Sequence, residues 1–256
     1  MAKNSMLIIV PVLNEANNIF PLLKKIFKYL KNKKKHILFI DDNSTDETRN
    51  KIKQAKKKYK KIYLIKRSRK LGVGSAHKIG LAWGFKNKYK IIITMDCDGT
   101  HDPIYIDKML KVLSKKNCQI VSTNRFLNKN SLNDWTTWRK KLTTFRHKLI
   151  RFLLNIKYDS SGAFRGYLTD KINIKDIFLA KNNSYSFFWE SIFILSKRYK
   201  IKEIPIRLPG RHSGSSKMKI KDISRNKKTQ NVIFVQFGNA DARKCTKITV
   251  RLLIIV

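Results

Sequence analysis

Short apolar runs alternate with amphipathic stretches through the first half of this chain. A short apolar run bounded by polar residues is typical of a buried strand, and the stretches between the runs have the length of helices. Alternating strands and helices predict βα units that build a mostly parallel sheet. The five predicted strands are Met6 to Pro11, His36 to Ile40, Ile62 to Ile65, Ile91 to Met95 and Gln119 to Ser122.

Two of the predicted helix starts carry residues that commonly cap helices. Ser44-Thr45-Asp46-Glu47 supplies hydroxyls and early acids, so we interpret Ser44, Thr45 and Asp46 as capping residues. Asp102-Pro103 supplies a cap followed by proline at the first helical position. The sequence therefore predicts helices after Asp42 and after His101. It contains no repeat of fixed period and no linker that would divide the chain.

The segment from Trp135 to Ile156 predicts a basic amphipathic helix after the sheet, because apolar residues recur at intervals of three and four with basic residues between them. One interpretation is that this helix packs on the domain core. The other is that it lies on a membrane surface, with tryptophans at headgroup depth and lysines facing anionic lipid. Its apolar positions are Trp135, Trp138, Leu142, Phe145, Leu149, Phe152 and Ile156.

No stretch of the sequence offers the roughly 20 unbroken apolar residues that a membrane-spanning helix requires. The apolar run from Met6 to Leu13 is short and contains Pro11, so it predicts a strand and no signal peptide. Any membrane contact is therefore expected to be peripheral. The tail after Asn226 switches between apolar and polar pieces without a period and predicts no particular structure.

The formal charge of the chain is +40. A positive field of that size attracts nucleic acid, anionic lipid or phosphorylated ligands, although lysine runs such as 31–35 and 56–61 are also typical of solvated helix ends. The three cysteines, Cys97, Cys118 and Cys245, have neither disulfide-framework nor zinc-site spacing. Their pattern favours a reducing, cytosolic setting.

Asp96-Cys97-Asp98 follows the predicted strand that ends at Met95. Ligands of open α/β sheets bind at the carboxyl ends of the strands. Two carboxylates this close together can hold one divalent cation against the phosphates of a nucleotide. The same pattern also occurs in turns, but its position at a strand end and before a helix start favours the metal site.

Three further motifs carry polar or glycine-rich chemistry. Asp41-Asp42 follows another predicted strand, where one acid can accept hydrogen bonds from a base or a ribose. Gly72-Val73-Gly74 lacks the third glycine of a dinucleotide site and the ending of a P-loop, which excludes both functions. Arg211 to Lys217 places cationic side chains around a glycine, in a pattern suited to phosphate oxygens, to a basic loop or to a nucleic-acid patch.

In their order along the chain, these motifs resemble family 2 glycosyltransferases of the GT-A fold, of the dolichol-phosphate mannose synthase type. The resemblance runs from about Met6 to about Met218. It implies an α/β, Rossmann-like GT-A domain over residues 1–218, with a mostly parallel sheet flanked by helices, followed by a tail of uncertain structure at 219–256. The motifs are Pro11 to Glu15, Asp41 to Asp46, Gly72 to Ala76, Asp96 to Asp98, Arg125, Ser161 to Arg165 and Arg211 to Lys217.

The resemblance also implies the substrates and the residues that bind them. The donor is a GDP- or UDP-linked hexose of the mannose or glucose type, and the acceptor is a polyprenyl or dolichyl phosphate. The implied nucleotide-sugar site is Pro11, Leu13, Glu15, Asp41, Asp42, Asp96, Cys97 and Asp98, in which Asp96 and Asp98 hold Mg²⁺ or Mn²⁺. The implied catalytic residues are Asp98, Arg125, Arg211 and Lys217, and the implied acceptor-phosphate site is Ser161, Arg165, Arg211 and Lys217.

The sequence departs from the family pattern in two respects. Thr100 stands where the family often has Gln or Ser, which leaves a third protein ligand to the metal unassigned. Many relatives also continue into carboxyl-terminal transmembrane helices, and this sequence predicts none. We therefore expect a cytoplasmic enzyme that contacts the anionic cytoplasmic face of a membrane peripherally.

The acceptor decides which mechanism is expected. A lipid phosphate has a second pKa near 6 and is largely anionic at neutral pH, so it needs no general base. Arginine and lysine side chains that gather two anions then suffice, and we expect direct displacement with inversion. One rival function is transfer to a hydroxyl of a polysaccharide or lipopolysaccharide, which needs a general base. The other is a basic nucleic-acid-binding module, but no nucleic-acid-binding motif is present and no nucleic-acid partner is expected.

Overall fold

The computed structural model describes residues 5–115 and 118–210, with the side chains of 153 and 154 left aside. Within these ranges the strands are β1 (Met6–Val12), β2 (Lys35–Asp41), β3 (Ile62–Lys66), β4 (Ile91–Thr94), β5 (Ile120–Asn124), β6 (Arg165–Leu168) and β7 (Ile201–Pro205). They form one sheet in the order β3-β2-β1-β4-β6-β5-β7. β6 runs antiparallel to β4 and β5, and the other neighbouring pairs are parallel.

Helices cover both faces of this sheet. They are α1 (Ile19–Tyr29), α2 (Thr48–Lys58), α3 (Val73–Lys86), α4 (Tyr105–Ser114), α5 (Thr137–Leu154), α6 (Ile174–Phe178) and α7 (Ser186–Ser196). Apolar residues of α1, α2 and α4 share one buried cluster with Ile8 and Val10 of β1. On the opposite face α3 lies so close that a Cβ atom on Gly80 would be 2.5 Å from Ile9. Because both faces are covered, β1 is apolar throughout and β4 is apolar except for Thr94 at its end.

The chain reverses its direction of strand addition at β1, which lies between β2 and β4. In a doubly wound sheet such a reversal opens a crevice at the carboxyl ends of the strands, and ligands bind there. The loops that follow β1, β2 and β4 all reach this edge. Because β6 is antiparallel, its first residue, Arg165, is also at this edge, opposite Thr94 at the end of β4.

The predicted α/β fold is confirmed, and all five predicted strands form with ends that differ by no more than two residues. The helix starts differ more. α2 begins at Thr48, where Asp46 accepts a hydrogen bond from the Thr48 amide at 3.0 Å, whereas Ser44 and Thr45 bond to Asn14 and do not cap the helix. α4 begins two residues after Pro103, so that proline precedes the helix.

α5 forms most of the predicted amphipathic segment, but the prediction that it follows the sheet is wrong, because α5 lies between β5 and β6. Its buried side carries Thr143, His147 and Ile150, which are 8%, 8% and 1% exposed. Trp138, Phe145 and Phe152 are 72%, 64% and 84% exposed and recur every seven residues, so they form one stripe along the helix, the aromatic stripe. α5 therefore packs on the domain with one side and presents aromatic rings to solvent with another. No helix in the described ranges has the length and apolarity to cross a membrane.

Candidate active site

The loop after β4 holds the two carboxylates predicted to bind a metal ion. The Asp98 carboxylate is 7% exposed and accepts hydrogen bonds from the Thr100 amide and hydroxyl at 3.1 and 2.6 Å. The Asp96 amide donates to Nδ1 of His101 at 2.9 Å, so this ring nitrogen is the acceptor and the proton of a neutral ring is on Nε2. Gly99 has φ of +85°, which closes the turn. Thr100 thus orients the Asp98 carboxylate.

The loop after β1 is tied to the loop after β2. The Glu15 amide donates to the Thr48 hydroxyl at 2.7 Å, and the Asn14 amide donates to the Ser44 hydroxyl at 2.9 Å. Asn14 has φ of +52°, in the left-handed region that asparagine tolerates. Pro11, Leu13 and Glu15, which the family resemblance places in the donor site, are all partly exposed at this edge.

Asp41 and Asp42, at the end of β2, are both buried and both engaged by protein groups. Asp41 is 0% exposed and accepts from the Ser44 amide at 3.0 Å and from Nε of Arg49. Asp42 is 5% exposed and accepts from the Leu71 and Gly72 amides, both at 2.9 Å. These hydrogen bonds fix the loop after β2 and the loop before α3, both of which border the crevice.

Arg67 completes the Asp42 network, although no pattern in the sequence indicates it. Its guanidinium is 2.9 Å from the Asp42 carboxylate and donates to the Ser75 hydroxyl at 2.7 Å. Gly72 has φ of +95°, and a Cβ atom there would be 2.4 Å from the Asn183 carbonyl oxygen. Glycine is therefore required for the turn that begins α3, and this explains the Gly-x-Gly motif without phosphate binding.

Arg125 and Ser161 are brought together by Asp159. One carboxylate oxygen of Asp159 accepts from Nε of Arg125 at 2.8 Å, and the other accepts from the amide and the hydroxyl of Ser161 at 3.2 and 3.1 Å. Asp159 is 1% exposed. Burial is the largest single effect and raises the pKa of Asp159, but the charge and hydrogen bonds of Arg125 together with the nearby His147 outweigh it and hold this pKa below its usual value.

A second carboxyl, the half-buried Glu203 of β7, supports this arrangement. It accepts from the Asp159 amide at 2.7 Å and from the Asn124 side-chain amide at 2.9 Å. Burial raises the pKa of Glu203 above its usual value, although both hydrogen bonds oppose the change. The end of β5, the loop before β6 and β7 are thus joined through two carboxyl groups.

Arg165 and Cys97, two other predicted site residues, lie in the interior. Arg165 is 1% exposed, and its guanidinium donates to the Ser191 hydroxyl at 2.9 Å and to the Phe188 carbonyl at 2.8 Å. Cys97 is 3% exposed and belongs to the main hydrophobic cluster. Arg165 is therefore engaged by α7, and we leave its side chain out of the acceptor site proposed below.

His77 of α3 lies fully buried beside Phe187 and Phe188 of α7, with ring centroids 6.2 and 5.0 Å away. Its Nε2 has no hydrogen-bond partner among the described residues. Burial first, and then the nearby Arg165 and His101, lower the pKa of His77 to about 3. The ring is therefore neutral in the folded protein at physiological pH.

The profile of glycosyl transferase family 2 matches residues 7–173, which is more than half of the chain. The chain belongs to glycosyl transferase family 2. The matched range includes the loops after β1, β2 and β4 and the residues Arg125, Asp159 and Ser161. The predicted family is thus confirmed, and the chain is a glycosyltransferase.

Three curated relatives resemble this family 2 glycosyltransferase over most of its length. It is 25% identical to polyprenol monophosphomannose synthase of Mycolicibacterium smegmatis over 83% of this chain and 80% of that one. It is 25% identical to undecaprenyl-phosphate mannosyltransferase of Micrococcus luteus over 83% of this chain and 86% of that one. It is 27% identical to dolichol-phosphate mannosyltransferase of Pyrococcus furiosus over 84% of this chain, and spans 60% of that relative's length.

Crystal structures of glucosyl-3-phosphoglycerate synthase from Mycobacterium tuberculosis share the fold. The complex with Mn²⁺, UDP and phosphoglyceric acid has a TM-score of 0.58 at 15% identity, over 86% of this chain and 74% of that one. The complex with Mn²⁺, UDP-glucose and phosphoglyceric acid has the same TM-score at 14% identity and the same coverage. The GT-A fold of this family 2 glycosyltransferase is thereby confirmed.

The donor atoms present fit a divalent cation. Within the described ranges no group of three or more His, Cys, Asp or Glu side chains is placed to hold a metal ion, so the metal-binding role of Asp96 and Asp98 stays a prediction. Mg²⁺ is commonly bound by one or two carboxylates together with substrate phosphates. Arg211, Lys217 and the 219–256 tail lie outside the described residues, so their predicted roles and the domain boundary at residue 218 stay predictions.

Proposed function

We propose that this glycosyltransferase moves a hexose of the mannose or glucose type from a nucleotide-diphosphate-sugar to a polyprenyl phosphate, with inversion. The observation that carries the proposal is the pairing of Arg125 with Ser161 on one buried carboxylate at the ligand edge of the sheet. A cation and a hydroxyl held together in this way suit the oxygens of a phosphate. The three curated relatives, whose names specify polyprenyl-phosphate or dolichyl-phosphate mannosyl transfer, support the same acceptor.

On the donor side, we assign the nucleoside to the partly exposed Pro11, Leu13 and Glu15. Asp41 and Asp42 shape the loops beside it through their own buried hydrogen bonds, and GDP and UDP remain the two donor classes to test. Asp96 and Asp98 would hold Mg²⁺ or Mn²⁺, which would offset negative charge on the leaving diphosphate.

On the acceptor side, Arg125 and Ser161, with Arg211 and Lys217 from beyond the described residues, offset the repulsion between two anions. The acceptor phosphate oxygen forms a bond to the anomeric carbon while the bond from that carbon to the diphosphate breaks. The nucleoside diphosphate leaves with the electron pair. No proton has to be removed from the acceptor, since the phosphate is already anionic at neutral pH.

The aromatic stripe of α5 supports peripheral contact with an anionic membrane. Trp138, Phe145 and Phe152 are exposed, and Lys141, Lys148 and Arg151 beside them are exposed as well. Exposed aromatic rings flanked by cations are typical of helices that lie in the headgroup layer. This contact supports the proposed location at the cytoplasmic face of a membrane.

A donor and acceptor panel tests the proposal. Purified protein is incubated with Mn²⁺, radiolabelled GDP-mannose, UDP-glucose or UDP-N-acetylglucosamine, and short-chain polyprenyl phosphate. Label that enters the organic phase, and that mild acid releases as expected for a phosphodiester-linked sugar, supports the proposal. Transfer to the matched polyprenol or to a polysaccharide hydroxyl, with none to the phosphate, would instead establish the hydroxyl-acceptor alternative.

A further inference from the structure

We infer that Asp159 is a positioning residue for the transfer reaction. Its side chain holds Arg125 and Ser161 in the arrangement that binds the acceptor phosphate. The inference rests on the proposed function, since it assumes that both residues meet that phosphate. Asp159 itself is 1% exposed and is not expected to touch either substrate. Its role is to act through its two neighbours.

The hydrogen bonds of Asp159 divide between its two carboxylate oxygens. Oδ2 accepts from Nε of Arg125 at 2.8 Å and lies 3.4 Å from the Arg125 amide, and Oδ1 accepts from the amide and hydroxyl of Ser161. A guanidinium is planar and rigid, so a bond at Nε fixes the plane in which its terminal N–H groups lie. One side chain therefore sets the direction of a cation and of a hydroxyl at once.

Glu203 fixes Asp159 from the neighbouring strand. Its carboxyl accepts hydrogen bonds from the Asp159 amide at 2.7 Å and from the Asn124 side-chain amide at 2.9 Å. The side-chain oxygen of Asn124 in turn accepts a hydrogen bond from the Phe126 amide at 2.7 Å. Asn124 holds the Phe126 amide and Asp159 holds Arg125, and both Asn124 and Asp159 are thus hydrogen-bonded to the carboxyl group of Glu203. This gives the pair a rigid support, which a positioning role requires.

α5 closes the same region. The His147 ring stacks on Phe126 with centroids 3.8 Å apart, and the pKa of the partly buried Arg146 is lowered by burial and by the neighbouring Arg125, against the opposing effect of Asp159. Arg146 is thus a second cation within electrostatic range of Arg125. An acceptor phosphate that binds at Arg125 would therefore lie near two guanidinium groups.

The test is Asp159→Asn, which keeps the shape of the side chain and removes its charge. The single amide oxygen of asparagine can accept the hydrogen bond of Arg125 or those of Ser161, but not both. The NH₂ group then faces the N–H donor of the other residue and cannot accept a hydrogen bond from it. We expect the KM for polyprenyl phosphate to rise about tenfold to a hundredfold, as happens when a supporting hydrogen bond to a functional residue is lost. The Kd for GDP or UDP with Mn²⁺, whichever the wild type prefers, should stay within about twofold.

Asp176→Asn is the matched control. Asp176 is 8% exposed, pairs with Arg198 at 3.1 Å and accepts from the Tyr199 hydroxyl, so its substitution also removes an ion pair of a buried aspartate, here with a 54% exposed arginine side chain. It lies on α6, which follows the far end of β6. This variant should be destabilised as Asp159→Asn is, but its acceptor KM should equal that of the wild type.

A merely structural role would move both substrates together, so equal loss of acceptor and nucleotide affinity in Asp159→Asn would overturn the inference. An unchanged acceptor KM would overturn it as well. If Asp159→Asn does not fold, Glu203→Gln provides the test. We expect a severalfold rise in its KM for polyprenyl phosphate, and an unchanged KM would overturn the positioning role of Asp159. In an Arg125→Ala, Ser161→Ala background, Asp159→Asn should have little further effect on acceptor KM.

The proposed function fails separately from this inference. If the wild type transfers no sugar to polyprenyl phosphate, the function itself is wrong. If the wild type transfers sugar and Asp159→Asn shows no acceptor-specific defect, only the positioning role is wrong.

Discussion

Removal of one ring from the aromatic stripe should weaken membrane binding by a predictable amount. Phe152 is 84% exposed, and with roughly 200 Å² for a whole aromatic side chain it presents about 170 Å² to solvent. At about 25 cal/mol per Å², entry of half of this area into the headgroup layer contributes about 2 kcal/mol. Phe152→Ala should therefore lower vesicle binding about 30-fold, with little change in folding stability because most of the ring is in solvent.

The assay is co-sedimentation with vesicles that contain phosphatidylglycerol, measured over a range of lipid concentrations. Phe178→Ala is the control, since Phe178 is a 41% exposed ring on α6. Added salt should weaken binding of the wild type and of Phe152→Ala in parallel, because screening acts on the lysines and arginines and not on the ring. If the two alanine variants bind vesicles equally well, the aromatic stripe is not the membrane-contacting surface.

Three further variants test other features. Asp98→Ala should abolish metal-dependent turnover without a change in circular dichroism or melting temperature, and normal turnover would refute the metal assignment. His77→Phe should flatten the pH dependence of the urea midpoint. The pKa of His77 is about 3 in the native state against an ordinary 6.5, so the wild type loses stability as pH falls below 6.5, by about 3 kcal/mol at pH 4. An equal dependence of the urea midpoint on pH in the variant would refute this explanation. Gly72→Ala, with φ of +95° and a Cβ 2.4 Å from a carbonyl oxygen, should cost about 2 kcal/mol or more in denaturant unfolding. Gly210→Ala, where no described atom lies within 4 Å of the added Cβ, should cost less than about 0.5 kcal/mol, and equal losses would refute the steric argument.

β1 to β4 could be predicted from the sequence because each contains a run of at least three apolar residues, as is typical of parallel strands covered on both faces. β5 is also predicted correctly, although its apolar part is only Ile120 and Val121. β6 escaped prediction for the opposite reason. It has four residues, begins with the charged Arg165 and contains Gly166, where a Cβ would be 2.8 Å from Val121. β7, an edge strand of five residues, has the adjacent charged residues Lys202 and Glu203 in its middle and therefore lacks an apolar run. Their places depend on contacts far apart in the sequence.

The position of Asp96 and Asp98 at the carboxyl end of β4 could be predicted, because both residues directly follow a strong strand. The network behind it could not. Nothing in the sequence indicates that Asp42 pairs with Arg67 or that Asp159 pairs with Arg125, since the partners lie about 25 and 34 positions apart and meet only in the folded chain. The family resemblance implies that Arg165 meets the acceptor phosphate, but the structure surrounds its guanidinium with neutral oxygen acceptors.

The antiparallel direction of β6 has a consequence for how such enzymes diversify. Everything assigned to the donor comes from residues 11–101, and the described acceptor residues, together with α5, occupy one continuous stretch from Arg125 to Ser161. That stretch leaves the sheet edge at β5 and returns to the same edge at β6. Exchange of this single insertion between relatives would therefore alter what receives the sugar and leave the machinery that activates it untouched.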